Sequence, residues 1–139
     1  MSYFKNQPSK IVFGTATTEV TLTDSFNDTT DISSAGGFNL ATVYVQYTPT
    51  EDTSVAFVQF EAGADDANFF PKTALVDENA SGESTSLNHI FRLEAVTAGV
   101  TIKKRFLIEL ADIRLRISAK ETTLGTYGSI KVILIRNEQ

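Results

Sequence analysis

The sequence predicts an all-β domain of about eight short strands, folded as a sandwich or a barrel. Three observations carry that expectation. Apolar and polar side chains alternate over short runs, the period of a half-buried strand. Clusters of Gly, Pro, Asp, Ser and Thr punctuate those runs. No segment sustains the 3.6-residue apolar stripe of an amphipathic helix; only Val76–Asn79 and Asp112–Arg116 offer a helical turn.

Residues 1–9 read as a short N-terminal arm, with Tyr3 and Phe4 ahead of Pro8, and the whole of 1–139 as one domain. Lys10–Gly14 and Thr17–Thr23 are short and rich in β-branched residues, which favour strands. Asp24–Gly37 is a polar connection ending in Ala35-Gly36-Gly37. Leu40–Thr48 sets Val43, Val45 and Tyr47 on one side, Thr42, Tyr44 and Gln46 on the other, and stops at Pro49. Thr48-Pro49-Thr50-Glu51-Asp52 then reads as a hairpin turn. Ser54–Ala62 is apolar on both faces, so it is a central strand that touches something beyond the main core. A short extended piece is expected around Lys72–Val76 and a flexible loop at Asp77–Ser84. Strands follow at Leu87–Glu94 and Thr101–Leu110, with a tight turn at Ala98-Gly99 between them.

Asp112–Lys120 alternates most cleanly. Ile113, Leu115, Ile117 and Ala119 share one face, and Arg114, Arg116, Ser118 and Lys120 the other. A slip of one residue would bury three cations, so the register is firmly set, and the basic face turns to solvent or to a partner. After a turn at Thr122–Gly128, the last strand, Ser129–Arg136, places Ile130, Val132 and Leu134 on the core face. That leaves Ile133 and Ile135 on the opposite face, either covered by a loop or strand or making a contact between subunits. The candidate partner or oligomer contacts are therefore Tyr3, Phe4, Arg114, Arg116, Ile133 and Ile135.

Composition excludes much chemistry. The net charge of −5 argues against a general nucleic-acid surface and against attraction to anionic lipid. With no cysteine there is no disulfide, zinc–thiolate site, iron–sulfur cluster or thiol nucleophile. The single His89 reads as a strand residue with a structural role. Phosphate-cradle and nucleophile-elbow motifs are missing from the sequence. The acidic loop Asp24–Asp31 lacks the ligand spacing of an EF-hand and reads as a solvated loop. Residues 1–8 lack the apolar stretch of a secretory signal, and no apolar run is long enough to cross a bilayer. Lys103-Lys104-Arg105 is the sole cation run; on a strand, Lys104 shares a face with Ile102 and Phe106 and beds its stem on apolar surface. Charge is uneven along the chain. Residues 1–70 hold two lysines against nine acids, a balance of −7, and residues 71–139 hold ten Lys/Arg against eight acids, a balance of +2. Solvated strand faces account for this, and a two-signed surface for packing copies together is the alternative.

Several segments in order resemble a known group: Tyr44-Val45-Gln46-Tyr47-Thr48-Pro49, Val58-Gln59-Phe60-Glu61-Ala62, Asn68-Phe69-Phe70-Pro71, the strand from Arg114 to Thr122, and Tyr127-Gly128-Ser129-Ile130-Lys131-Val132. Across residues 40–136 this ordering is similar to the small β-sandwich virion proteins of tailed bacteriophages, which decorate or complete the head. The resemblance implies an antiparallel, jelly-roll-like β-sandwich with a structural role, no cofactor, and trimeric or lattice-bound assembly. The expected function is that of a capsid decoration or auxiliary head protein, made in the bacterial cytoplasm and placed on the capsid exterior of the virion. Its expected partners are the major capsid protein lattice and further copies of itself, with a trimer favoured, and neither nucleic acid nor membrane. Two alternatives are a head–tail joining or tail protein, and a carbohydrate-binding module using Tyr44, Tyr47 or Phe69 as stacking faces. An enzyme is not expected, and no catalytic, cofactor or metal residue is assigned.

Overall fold

The computed structural model describes residues 10–13, 19–26, 32–33, 38–65, 67–76, 87–109 and 114–138. The chain is all-β, and twelve strands lie among the described residues: β1 (Lys10–Phe13), β2 (Val20–Thr21), β3 (Ile32–Ser33), β4 (Phe38–Thr48), β5 (Val55–Gly63), β6 (Phe69–Pro71), β7 (Ala74–Val76), β8 (Leu87–Asn88), β9 (Ile90–Glu94), β10 (Ile102–Glu109), β11 (Arg114–Thr122) and β12 (Ser129–Glu138). They form two antiparallel sheets. The seven-stranded sheet runs β1-β12-β4-β10-β7-β8 with β2 also on β12, and the five-stranded sheet runs β3-β11-β5-β6 with β9 also on β5.

Eight strands carry the architecture: β1, β3, β4, β5, β9, β10, β11 and β12. Ranked in chain order, the larger sheet reads first, eighth, third, sixth and the smaller second, seventh, fourth, fifth. That is the wrapped order of a jelly roll, as expected. The remaining four are short. β2 continues the edge that β1 occupies on β12, β6 shares the edge of β5 with β9, and β7 and β8 widen the larger sheet beyond β10.

Alternation builds the core. Ala41, Val43, Val45 and Tyr47 of β4 point inward, flanked in register by Leu134 and Val132 of β12 and by Phe106 and Ile108 of β10. Facing them, Ala56, Val58 and Phe60 of β5 lie beside Leu115, Ile117 and Ala119 of β11 and Phe91 and Leu93 of β9. Phe60 and Phe91 of the smaller sheet meet Phe106 of the larger, with ring centroids 4.7 to 5.9 Å apart and tilted or edge-on planes. β5 is central, as its two apolar faces predict; its outward Val55 and Phe57 are half-buried. Lys104 is half-buried on the inward side of β10, as expected.

Two readings are corrected. Thr48–Asp52 is not a hairpin turn, because β4 and β5 belong to different sheets and the segment carries the chain between them. Leu87–Glu94 is not one strand: it breaks at His89 into β8 of the larger sheet and β9 of the smaller. At the break, the His89 carbonyl accepts from the Phe60 N–H at 2.8 Å and the His89 N–H donates to Asn88 Oδ1 at 2.8 Å. β3 and β6 were not predicted, since each is short and β6 ends on Pro71, tolerated at a sheet edge.

Candidate functional site

The outward face of the larger sheet holds Ile133 and Ile135. Antiparallel pairing aligns side chains across it in rows: Ile135, Thr42, Leu107 and Leu75; then Ile133, Tyr44 and Arg105; then Lys131, Gln46 and Lys103. Ile133, Ile135, Leu107 and Leu75 are half-buried and Thr42 is covered but for 7%, while Tyr44 stands 38% exposed. An apolar strip therefore borders a basic one. Beside the first row a cavity of about 580 Å³ opens between Leu75, Leu107, Pro71 and Lys72.

Arg114 and Arg116 lie on the opposite side of the molecule, on the outward face of the smaller sheet. The basic face of β11 points outward and its cations are half-buried, as expected, and it also makes contacts within the chain. Arg116 pairs directly across the sheet with Glu61, donating to Oε1 from Nε at 3.2 Å and from Nη2 at 3.0 Å, and its guanidinium lies 4.0 Å from the Phe69 ring centroid. The Lys120 ammonium sits 4.8 Å from the Phe26 ring and 5.5 Å from the Phe57 ring. Ser118 is buried between them. Glu61 on the neighbouring strand and the aromatic faces thus engage Arg116 and Lys120 inside the chain, while the buried Ser118 Oγ has no hydrogen-bond partner among the described residues. Tyr3 and Phe4 lie outside the described residues. The six candidate contacts are thus not one site: two pairs occupy opposite outer faces.

The stacking faces are corrected as well. Tyr47 is fully buried and Phe69 lies under Arg116, so of the three aromatics only Tyr44 is presented to solvent.

A surface absent from the sequence reading lies at one end of the sandwich. Three chain segments cross between the sheets there, 49–54, 95–101 and 123–128, beside residues 22–26. Hydrogen bonds tie them together. Gly99 N–H donates to the Pro49 carbonyl at 2.7 Å and Ala98 N–H to Asp52 Oδ1 at 2.7 Å. On the other flank, Thr50 Oγ1 donates to the Thr126 carbonyl, Thr126 N–H to Glu51 Oε1 at 3.3 Å, and Ser54 Oγ to Thr123 Oγ1 at 2.9 Å. Gly99 takes φ of 80°, a left-handed value suited to glycine. From these braced loops Val96, Val100 and Leu124 project into solvent. Their one sequence signal is an apolar residue inside a turn, where no strand face needs it.

Beneath this end lies a buried polar cluster. The Tyr47 hydroxyl donates to Glu121 Oε2, and Gly128 N–H donates to Glu121 Oε1 at 2.7 Å. Glu121 N–H donates to the Thr23 carbonyl at 2.8 Å and Leu22 N–H to the Gly128 carbonyl at 2.9 Å. Burial first, then the hydrogen bond and charge of Glu121, push the Tyr47 phenol well above its ordinary 10.0. At the far end Asp65 Oδ1 accepts from Ala67 N–H at 2.9 Å and Asn68 N–H at 2.8 Å; the first of these bonds, with help from the Asn68 side chain, lowers its carboxyl below the usual range. No group of three or more metal-ligating side chains occurs among the described residues, and no helix there is long and apolar enough to cross a membrane.

Fold and surfaces together define an antiparallel jelly-roll sandwich that keeps apolar side chains outward in two separate places. In solved structures the chain is similar to the SPBc2 prophage-derived protein YomS, known from a crystal structure, with a TM-score of 0.60 over 97% of this chain and 96% of that one. Sequence identity is 10%, so the likeness is one of fold. No family model matches the chain, and a search of the curated proteins finds no match.

Proposed function

We propose that the chain is a structural protein of a bacteriophage particle, a capsid decoration or auxiliary head protein that binds the capsid lattice from outside and stabilises it. The observation that carries this reading is the pair of outward apolar surfaces on one rigid sandwich, the Ile133–Ile135 row and the loop end. A part that must hold neighbours on more than one side needs such surfaces; a part that only folds does not. The likeness over nearly the whole of both chains to a prophage-derived protein supports the phage setting. The role is adhesive and not catalytic. Many copies act together, so each contact can be modest and the assembly still holds by avidity.

The test mixes purified protein with undecorated heads of the phage that encodes it and follows co-sedimentation. Saturable binding that raises the temperature at which the heads open is the expected result. Failure to bind at any salt concentration overturns the reading. Labelled antibody that marks the head–tail joint instead of the capsid shell overturns the decoration role in favour of a joining one.

A further inference from the structure

Six large apolar side chains stand exposed among the described residues, and four of them sit at or beside the loop end: Val20, Val96, Val100 and Leu124. Val96 is 85% exposed and Leu124 fully so. Single exposed apolar residues are ordinary on a soluble surface. A concentration of them on loops braced to one another is not, and the bracing means that little chain freedom is lost when something docks.

The loops of this end carry acids, with the Lys120 ammonium at their edge on Phe26. Segments 19–25, 48–54, 95–101 and 121–129 contain Glu19, Asp24, Glu51, Asp52 and Glu121 and not one lysine or arginine. Glu121 is buried and Glu19 is held by Thr48 and Ser129 of the larger sheet, which leaves Asp24, Glu51 and Asp52 at this end. The outward face of the larger sheet is the counterpart. It sets Lys103, Arg105 and Lys131 beside Ile133, Ile135 and Tyr44, with Glu109 at one margin and Glu19, on Thr48 and Ser129, at the other. Both surfaces carry apolar side chains, and acids predominate on the first and cations on the second.

We propose that the loop end of one copy seats on the outward face of the larger sheet of a second copy, with Val96, Val100 and Leu124 against Ile133, Ile135 and Tyr44, and Glu51 and Asp52 toward Lys103 and Arg105. Apolar contact supplies the holding energy, and the charges set orientation and speed of encounter. Two different patches on one chain make a head-to-face contact, which repeats until a ring closes or a filament runs on. This contact gives a second copy as the occupant of the two surfaces on which the capsid reading rests; self-association without heads tests the one and co-sedimentation with undecorated heads tests the other, so the two can fail separately.

The test measures mass in solution by light scattering after gel filtration. At about 0.1 mM, where a micromolar contact is well populated, the native chain is expected above monomer mass, and to move toward monomer at about 1 M salt, where the charges are screened. Two variants are then made: V96D/L124D at the loop end and K103E/I133D on the face. Each is expected to be monomeric alone, with an unchanged circular dichroism spectrum. Mixed in equal amounts they are expected to form a one-to-one dimer, because each keeps the half that the other lacks. K103E alone, at an exposed side chain, weakens association without threatening the fold. A monomeric native chain, variants that still associate, or monomeric variants that do not pair on mixing would each overturn the proposal.

Discussion

Replacing Tyr47 by Phe removes one oxygen and leaves the ring. Tyr47 is fully buried in β4, and its hydroxyl is one of two donors to the equally buried Glu121, the other being Gly128 N–H. The phenyl ring keeps its packing, so no cavity opens. What is lost is a hydrogen bond to a carboxylate, worth about 1.5–3 kcal/mol, with the acceptor left under-satisfied in the interior. The expected loss is therefore about 2–3 kcal/mol, or about 7–10 °C in the melting midpoint for a chain of this length. Urea unfolding followed by circular dichroism, at fixed protein concentration, should show a lower midpoint with an unchanged slope. In a double-mutant cycle with Glu121→Gln, the two losses should overlap by at least about 1 kcal/mol. The same variant also tests the phenol's titration. Because the folded chain holds the Tyr47 proton beyond the ordinary 10.0, this contribution is fully present below that pH and is lost as pH rises above it toward the raised folded value. Native stability should fall in that alkaline window more steeply than that of the Phe variant. A change below about 0.5 kcal/mol at neutral pH, within the noise of ordinary surface substitutions, would refute the claim that this cluster fastens the sheets.

Gly128→Ala places a Cβ 2.5 Å from the Thr48 carbonyl oxygen and 2.9 Å from Glu121 Oε2. Backbone cannot move aside cheaply, so equilibrium unfolding should show a loss of about 2–3 kcal/mol. Arg116→Gln should cost about 1 kcal/mol, since its pair with Glu61 is largely covered and its guanidinium rests on Phe69. Arg92→Gln is the control: Arg92 and Glu94 pair at 2.9 Å but are 60% and 62% exposed, and thermal unfolding should shift little. Equal losses in the two arginine variants would contradict the covered geometry.

Much of the sandwich was legible because alternation is a local matter. On β11 the sequence of Arg114, Leu115, Arg116, Ile117 already states which side chains face inward, and the structure buries Leu115 and Ile117 while holding the arginines outward. Ile133 and Ile135 were legible as outward for the same reason, by opposition to Ile130, Val132 and Leu134. What could not be read was which sheet a strand joins. Pro49 and the polar residues after it look like a hairpin turn, yet they bridge two sheets. A single apolar run at 87–94 likewise changes sheets at His89. Nor could the Tyr47–Glu121 contact be inferred, because 74 residues separate the partners.

The sequence by itself determined the strand class, the inward and outward sides of each strand, and an uneven spread of charge along the chain. Only the tertiary structure decided that the first strand lies beside the last, that three connections gather at one end, and that Glu51, Asp52 and the apolar tips collect there. The physical reason is one of range. A side chain's facing follows from the pleat of its own backbone, whereas pairing and loop convergence are settled by contacts between residues far apart in the chain, where many local patterns are equally content.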